Sequence, residues 1–228
     1  MRPETAGATL RCQDTLEREL RARGFQAVAG VDEVGRGALF GPVVAAAVIL
    51  SPDRAIRGLN DSKLLDPERR ETLAARIRER AVAFGIGAVD AATIDRVNIY
   101  QASRLAMRMA VSLLNPQPDF LLVDAVPLEL ALPQRPLIKG DARCHCIAAA
   151  SIVAKVYRDA CMREWDKIFP EYGLAGHKGY STPEHWKALQ EHGLTPLHRL
   201  SFEPVRARCL FPLDYTAQMD LFETAGAA

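Results

Sequence analysis

Runs of unbroken apolar residues alternate along this chain with segments where apolar positions recur at helical spacing. AVAGVDEVG (27–35) and PVVAAAVIL (42–50) read as buried strands, and GRGALFG (35–41) as the turn between them. So short a connection predicts an antiparallel pair. AVAFGIGAV (81–89) predicts a third strand, DFLLVD (119–124) a fourth, and residues 137–139 a brief fifth. Helices are predicted over 14–23, from Pro67 to about Arg80, over 90–95, 98–114 and 146–168, and over 182–192. Asp66 before Pro67 is a helix-start signal, and Pro183 stands in the first turn of the last helix. In 98–114 the expected buried face is Ala102, Leu105, Ala106, Met109 and Leu113. Residues 199–213 predict a proline-containing segment along the surface, and the last residues a tail.

Three antiparallel strands followed by strands alternating with helices predict an α/β protein, a mixed sheet covered by helices. At 228 residues the chain suits one large domain. Its apolar share of 49% excludes a wholly disordered chain. The longest apolar run, around 41–50, is too short for a membrane span, which needs about 20 residues. No secretory signal precedes the first helix, and five cysteines are an odd number, so reduced thiols in a cytoplasm are expected. Cys144-His145-Cys146 lacks a second ligand pair at zinc-site spacing, so these thiols are expected to be small buried residues. A net charge of +1 means that nucleic-acid binding would rest on local patches or metal ions.

The chemistry is carried by acids at strand ends. Asp32 and Glu33 close the first strand, Asp124 closes the fourth, and Asp141 follows Lys139-Gly140 before the long helix. Each follows apolar sequence, where an unpaired charge is costly. A lone strand-end acid is usually a turn former or a helix cap. Several converging at one sheet edge would make a hard, oxygen-rich site suited to Mg2+ or Mn2+.

The wording around the acids narrows this. GVDEVGRGALFGPVVAAAVIL (30–50), NDSKLL (60–65), LLVDAV (121–126), KGDARCHCIAAASIVAKVYRD (139–159) and HKGYSTPEHWKALQEHGLTPLHRLSF (177–202) occur in the order of the type 2 ribonucleases H. The chain resembles the bacterial ribonuclease HII family over roughly 27–202. The resemblance implies an RNase H-like fold: a mixed five-stranded sheet, first three strands antiparallel, flanked by helices, with a helical C-terminal segment. It implies an endoribonuclease that degrades the RNA strand of RNA–DNA hybrids and incises duplex DNA 5′ of an embedded ribonucleotide, leaving 5′-phosphate and 3′-hydroxyl. Asp32, Glu33, Asp124 and Asp141 would be the catalytic set and would hold two divalent ions, Mg2+ or Mn2+. Gly35, Arg36, Gly37 and Tyr180 would recognise the RNA-to-DNA junction, with Ser62 and Lys63 as phosphate contacts. The roles of Lys155, Arg158, Asp159, His198 and Arg199 stay open.

Expected domains are a lead-in over 1–24, the catalytic domain over 25–205 and a tail over 206–228. In the tail, Gln218, Leu221 and Phe222 resemble a peptide that binds the bacterial sliding clamp. A fold-back onto the domain is the alternative. Without heptads or a large apolar surface, a monomer is expected. Ribonuclease HIII is the competing family, but its turn lacks Gly-Arg-Gly and it carries an added N-terminal domain, which is expected to be absent here because only about 25 residues precede the first predicted strand. A non-catalytic nucleic-acid binding module is the competing class. An unrelated Mg2+-dependent phosphotransferase finds no phosphate cradle, because GRGALFGP lacks the Lys-Ser/Thr ending of a P-loop.

Overall fold

The computed structural model describes residues 12–208. Cys209, Gln218, Leu221 and Phe222 lie outside them, as does most of the tail. The elements are α1 (Thr15–Ala22), β1 (Val28–Val34), β2 (Val43–Ile49), α2 (Pro67–Arg80), β3 (Ala83–Val89), α3 (Ala91–Val97), α4 (Ile99–Ser112), β4 (Phe120–Asp124), β5 (Gln134–Leu137), α5 (His145–Ile168), α6 (Leu174–His177), α7 (Pro183–His192) and α8 (Glu203–Arg208). The sheet has the order β3-β2-β1-β4-β5. β1 pairs antiparallel with β2, and β2 with β3, while β1–β4 and β4–β5 are parallel. This is the mixed five-stranded architecture expected.

Both faces of the sheet are covered. α4 closes one with Ala102, Ala106 and Ala110 against Ala29, Val31 and Ala45. α5 and α2 close the other, with Ala149, Ile152 and Ile77 against Val44, Ala46 and Val48. β2 is therefore buried at every position, which is why its sequence does not alternate. Leading caps set the helix starts: Asp66 accepts from the Arg69 N–H, Asp90 from Thr93, Asn98 from Gln101, and Thr182 from His185.

Three expectations are corrected. The face of α4 is rotated: Ala102, Ala106, Met107, Ala110 and Val111 are buried, whereas Met109 and Leu113 are 40% and 61% exposed. Glycines on β3 explain this. A Cβ on Gly85 or Gly87 would lie 2.2 Å from the carbonyl oxygen of Ala110 or Ala106, so the small-residue face of the helix seats on the strand. β5 is Gln134–Leu137, not 137–139, and it stops opposite Asp124 where β4 stops. It is polar and contains Pro136 because it is an edge strand. Residues 199–208 do not simply follow the surface: Arg199 and Val205 are fully buried, and Glu203–Arg208 is helical.

β1 is where the sheet meets the long helix. A Cβ on Gly30 would fall 2.1 Å from the backbone carbon of Cys146. Gly30→Ala is therefore expected to cost about 2 kcal/mol or more of stability, since backbone rather than a flexible side chain must yield. Gly176→Ala, whose Cβ would meet nothing within 4 Å, is the control and should stay within about 0.5 kcal/mol. Urea midpoints at unchanged slope measure both.

Candidate active site

Parallel pairing of β1 with β4 brings their C-terminal ends side by side, with Val31 opposite Val123. Asp32 and Asp124 are the next residues of the two strands. Asp32 is 5% exposed; its carboxylate accepts from the Glu33 N–H at 2.7 Å and is hydrogen-bonded by Ser151 of α5. Asp124 accepts from the Gly140 N–H at 2.7 Å, which ties β4 to the single helical turn Gly140–Ala142. Asp141, in that turn, is buried and accepts from the Ala142 N–H at 2.9 Å. Lys63 reaches Asp141 at 3.7 Å and Asp61 at 4.0 Å, and Arg36 reaches Glu33 at 3.3 Å. The four acids and Lys63 thus meet at one sheet edge.

The acids are short of positive charge. Burial first, then Glu33 and Asp124, push the Asp32 carboxyl well above its ordinary range. Burial also raises Glu33, Asp124 and Asp141, despite relief from Arg36, the Gly140 N–H and Lys63 respectively. The Glu33 Oε2 atom is buried with no hydrogen-bond partner. A hard oxygen donor set with an orphaned carboxylate oxygen fits a divalent cation.

A second group lies beside the first. Gly35 has φ +89°, which favours glycine, and a Cβ there would sit 2.2 Å from Arg158 Nε. Arg158 is fully buried and donates to the carbonyls of Pro42 (3.1 Å), Phe40 (3.1 Å) and Lys178 (2.9 Å). Arg199, also fully buried, donates to Gly41 (2.9 Å) and Arg36 (3.0 Å). Ala38 bridges Tyr180, and the Leu39 N–H donates to the Gly179 carbonyl at 2.8 Å. Arg158 stands 5.3 Å from the Tyr180 ring centroid and Lys155 5.9 Å. The Gly35–Gly37 turn and Tyr180, far apart in sequence, form one structure.

A histidine relay supports it. The Thr195 N–H donates to His198 Nδ1 at 2.9 Å, so His198 carries its proton on Nε2. That proton points to His185 Nε2 at 3.3 Å, leaving His185 Nδ1 to donate to the Tyr180 carbonyl at 3.0 Å.

Sequence reasoning missed several of these residues. Asp61 faces Asp124 and Asp141, although it stands in the NDSKLL motif. Ser151 is a hydroxyl within the apolar start of α5, and its polarity there was the available signal. Ser62, which the sequence did single out, as a phosphate contact, is buried, its hydroxyl 3.0 Å from that of Ser151. Nothing local marks Arg158 and Arg199 as buried among carbonyls, because every carbonyl partner but that of Lys178 lies more than a hundred residues away.

A family model described as ribonuclease HII matches residues 29–205. The ribonuclease HII of Solibacter usitatus is 76% identical over 228 residues, covering 100% of both chains. Among solved structures, the ribonuclease H2 of Pyrococcus horikoshii superposes with a TM-score of 0.71 at 26% identity, over 80% of this chain and 96% of that one. The complex of PCNA with RNase HII from Archaeoglobus fulgidus gives 0.67 at 26% identity, over 78% and 96%.

The raised carboxyls also set a pH dependence. The folded chain holds protons that the unfolded chain has released, so their contribution to stability is full below the ordinary carboxylate range. It is lost as pH rises through the raised values. Asp32→Asn, freed of divalent ions by chelation, is therefore expected to be more stable than the parent at neutral pH, by about 1 kcal/mol or more. The gap should shrink toward about pH 4, where the parent's Asp32 is protonated. Chemical denaturation at both pH values measures it, and a destabilised variant at neutral pH would contradict the electrostatic reading.

Proposed function

The chain belongs to the ribonuclease HII family and is a divalent-metal-dependent endoribonuclease of RNA–DNA hybrids, and we propose that Asp32, Glu33, Asp124 and Asp141 are its catalytic set. The observation that carries this is the convergence of these acids at the paired ends of β1 and β4, undercompensated in charge and with one orphaned oxygen. They would hold a pair of ions, Mg2+ or Mn2+, which when bound supply positive charge at the scissile phosphate and acidify the attacking water. Ser151 and the Gly140 N–H hold Asp32 and Asp124 in place. Lys63, largely exposed beside Asp141, is placed to meet a substrate phosphate. Ser62 takes a different part: its buried hydroxyl props Ser151.

Gly35, Arg36, Gly37 and Tyr180 are assigned to the RNA-to-DNA junction. Backbone groups in a glycine turn approach a ribose closely, and a 2′-hydroxyl both donates and accepts. The Tyr180 ring beside them would exclude a second 2′-hydroxyl on the DNA side. This supports incision 5′ of an embedded ribonucleotide, leaving 5′-phosphate and 3′-hydroxyl. Residues 25–205 are read as the catalytic domain with its C-terminal helical segment, flanked by the lead-in and the tail. For the tail, Gln218, Leu221 and Phe222 are read as a sliding-clamp peptide. The relative from Archaeoglobus fulgidus, solved with PCNA, is in keeping with a clamp partner.

A labelled duplex with one ribonucleotide should be cut on its 5′ side only when Mg2+ or Mn2+ is added. Asp32→Asn should abolish the cut, with substrate still bound in a mobility shift. Cleavage restricted to runs of ribonucleotides would favour a ribonuclease HIII-like enzyme, and binding without cleavage by the parent chain a non-catalytic module.

The bacterial clamp should capture the full chain more strongly than a chain ending before Gln218. Equal capture removes the tail reading.

A further inference from the structure

Away from the acids, α1 carries a buried carboxyl group, that of Glu17, with only one of its two oxygens matched. Glu17 is 1% exposed, and Cys146, whose N–H it meets, belongs to an apolar cluster with Leu20, Val28, Leu122, Cys144 and Ile147 among its members. Its Oε1 accepts from the Cys146 N–H at 2.8 Å, at the start of α5. Its Oε2 is buried with no hydrogen-bond partner. Leaving such an atom unmatched costs about 1–3 kcal/mol, more for a charged group. Two thiols in an apolar cluster are ordinary; a half-satisfied carboxylate between them is not.

The geometry around it is that of a ligand set. One oxygen of Glu17 and the sulfurs of Cys144 and Cys146 all lie within 4.8 Å of one another, and all three residues are buried. The two sulfurs are 3.5 Å apart. That is far from the ~2.05 Å of a disulfide and close to the about 3.8 Å between two sulfurs on one tetrahedral Zn2+. We propose that Glu17, Cys144 and Cys146 form a binding site for a thiophilic divalent cation, Zn2+, distinct from the catalytic acids.

Thiolates prefer Zn2+ and reject Mg2+, so the two sites would sort their metals by donor softness. Cys12 adds a thiol close enough to Cys144 and Glu17 that, with burial, they raise it to about 12. Glu17 and the neighbouring His145 also line a cavity of about 420 Å³ between α1 and the loop after β2, with Arg18, Arg21, Arg54 and Arg57 on the same lining. Both thiols would release their protons to solvent on binding. The ion would clamp α1 to the segment bearing Asp141, a junction already made by the bridge between Gln13 and Cys144 and by the His145 N–H donating to the Gln13 carbonyl.

The test uses the full chain, stripped by chelator, kept reduced and held in excess Mg2+ to occupy the oxygen donors. Titration with Co2+ as a spectroscopic stand-in should give thiolate-to-cobalt absorption that saturates at one ion per chain and is displaced by Zn2+. Cys144→Ser with Cys146→Ser should abolish it. Glu17→Gln should weaken Zn2+ binding about tenfold or more, and Asp124→Asn should leave it unchanged. X-ray absorption of the Zn2+-loaded parent reads the sulfur shell with no variant at all, so a misfolded double mutant does not decide the matter. No thiolate band in the reduced parent, a band that survives the double substitution, or a shell of oxygen alone would each overturn the proposal.

Discussion

Everything at this site follows from concentrating carboxylates where water is scarce. Asp32 and Asp141 are buried, Asp61, Glu33 and Asp124 crowd them, and the cations drawn in are Lys63 and Arg36. Like charges at such spacing raise one another's pKa and strain the fold that holds them. A loop would relax by letting them drift apart. This frame prevents that by placing them on its least yielding parts. Asp32 stands on the central strand, Asp124 on that strand's parallel neighbour, and Asp141 in a turn bonded back to Asp124 through Gly140. Stability is sacrificed locally so that the acids keep their positions, and a buried two-sided sheet supplies the reserve.

The half of the site around Gly35–Gly37 and Tyr180 depends on the opposite charge. Burying a guanidinium is expensive unless its donors are matched. Arg158 and Arg199 together donate to Pro42, Phe40, Lys178, Gly41 and Arg36, all carbonyls. Four belong to the segment that begins with the Gly-Arg-Gly turn, and the fifth to the stretch leading into Tyr180. The turn has no helix or strand of its own to hold it. Two arginines, one on α5 and one from the C-terminal block, replace that support. Because α5 also carries Ser151, one helix positions the acids at its start and the turn further along. A glycine at position 35 is required by both φ and the closeness of Arg158, so it belongs to this scaffold.

Most of the frame was legible because it rests on local signals. Unbroken apolar runs marked β1, β2 and β4, and Asp66-Pro67 and Thr182-Pro183 marked helix starts within a residue. Asp32 and Asp124 each end an apolar run, whereas Glu33 and Asp141, which follows Lys139-Gly140, were singled out as candidates through the resemblance of the surrounding motifs. What was not legible is set by partners distant in sequence. The buried face of α4 depends on Gly85 and Gly87 of β3, so its own periodicity misplaced Met109 and Leu113. β5 is polar because it lies at an edge, and hydrophobicity does not signal an edge strand. Arg158 and Arg199 have the composition of solvated surface residues, and only the folded chain supplies the carbonyls that bury them.

The two halves of the site respond to acid in opposite directions. The carboxylates, raised by burial, gain stability as pH falls. The histidine relay behind Tyr180 does the reverse. Burial lowers His185 to about 4 and His198 to about 3, so each is neutral when folded and takes up a proton more readily when unfolded. Their contribution is full above the ordinary histidine value near 6.5 and is lost as pH falls toward those lowered values. The relay requires this neutrality. Protonating either ring would put a hydrogen on both Nε2 atoms across 3.3 Å, or take away the Nδ1 acceptor of the Thr195 N–H. Acid therefore loosens the packing behind Tyr180 while it quiets repulsion among the acids. As pH rises the acids ionise and become able to take up metal, and the relay that positions Tyr180 is intact. Rising pH therefore favours both requirements, although their contributions to stability run in opposite senses.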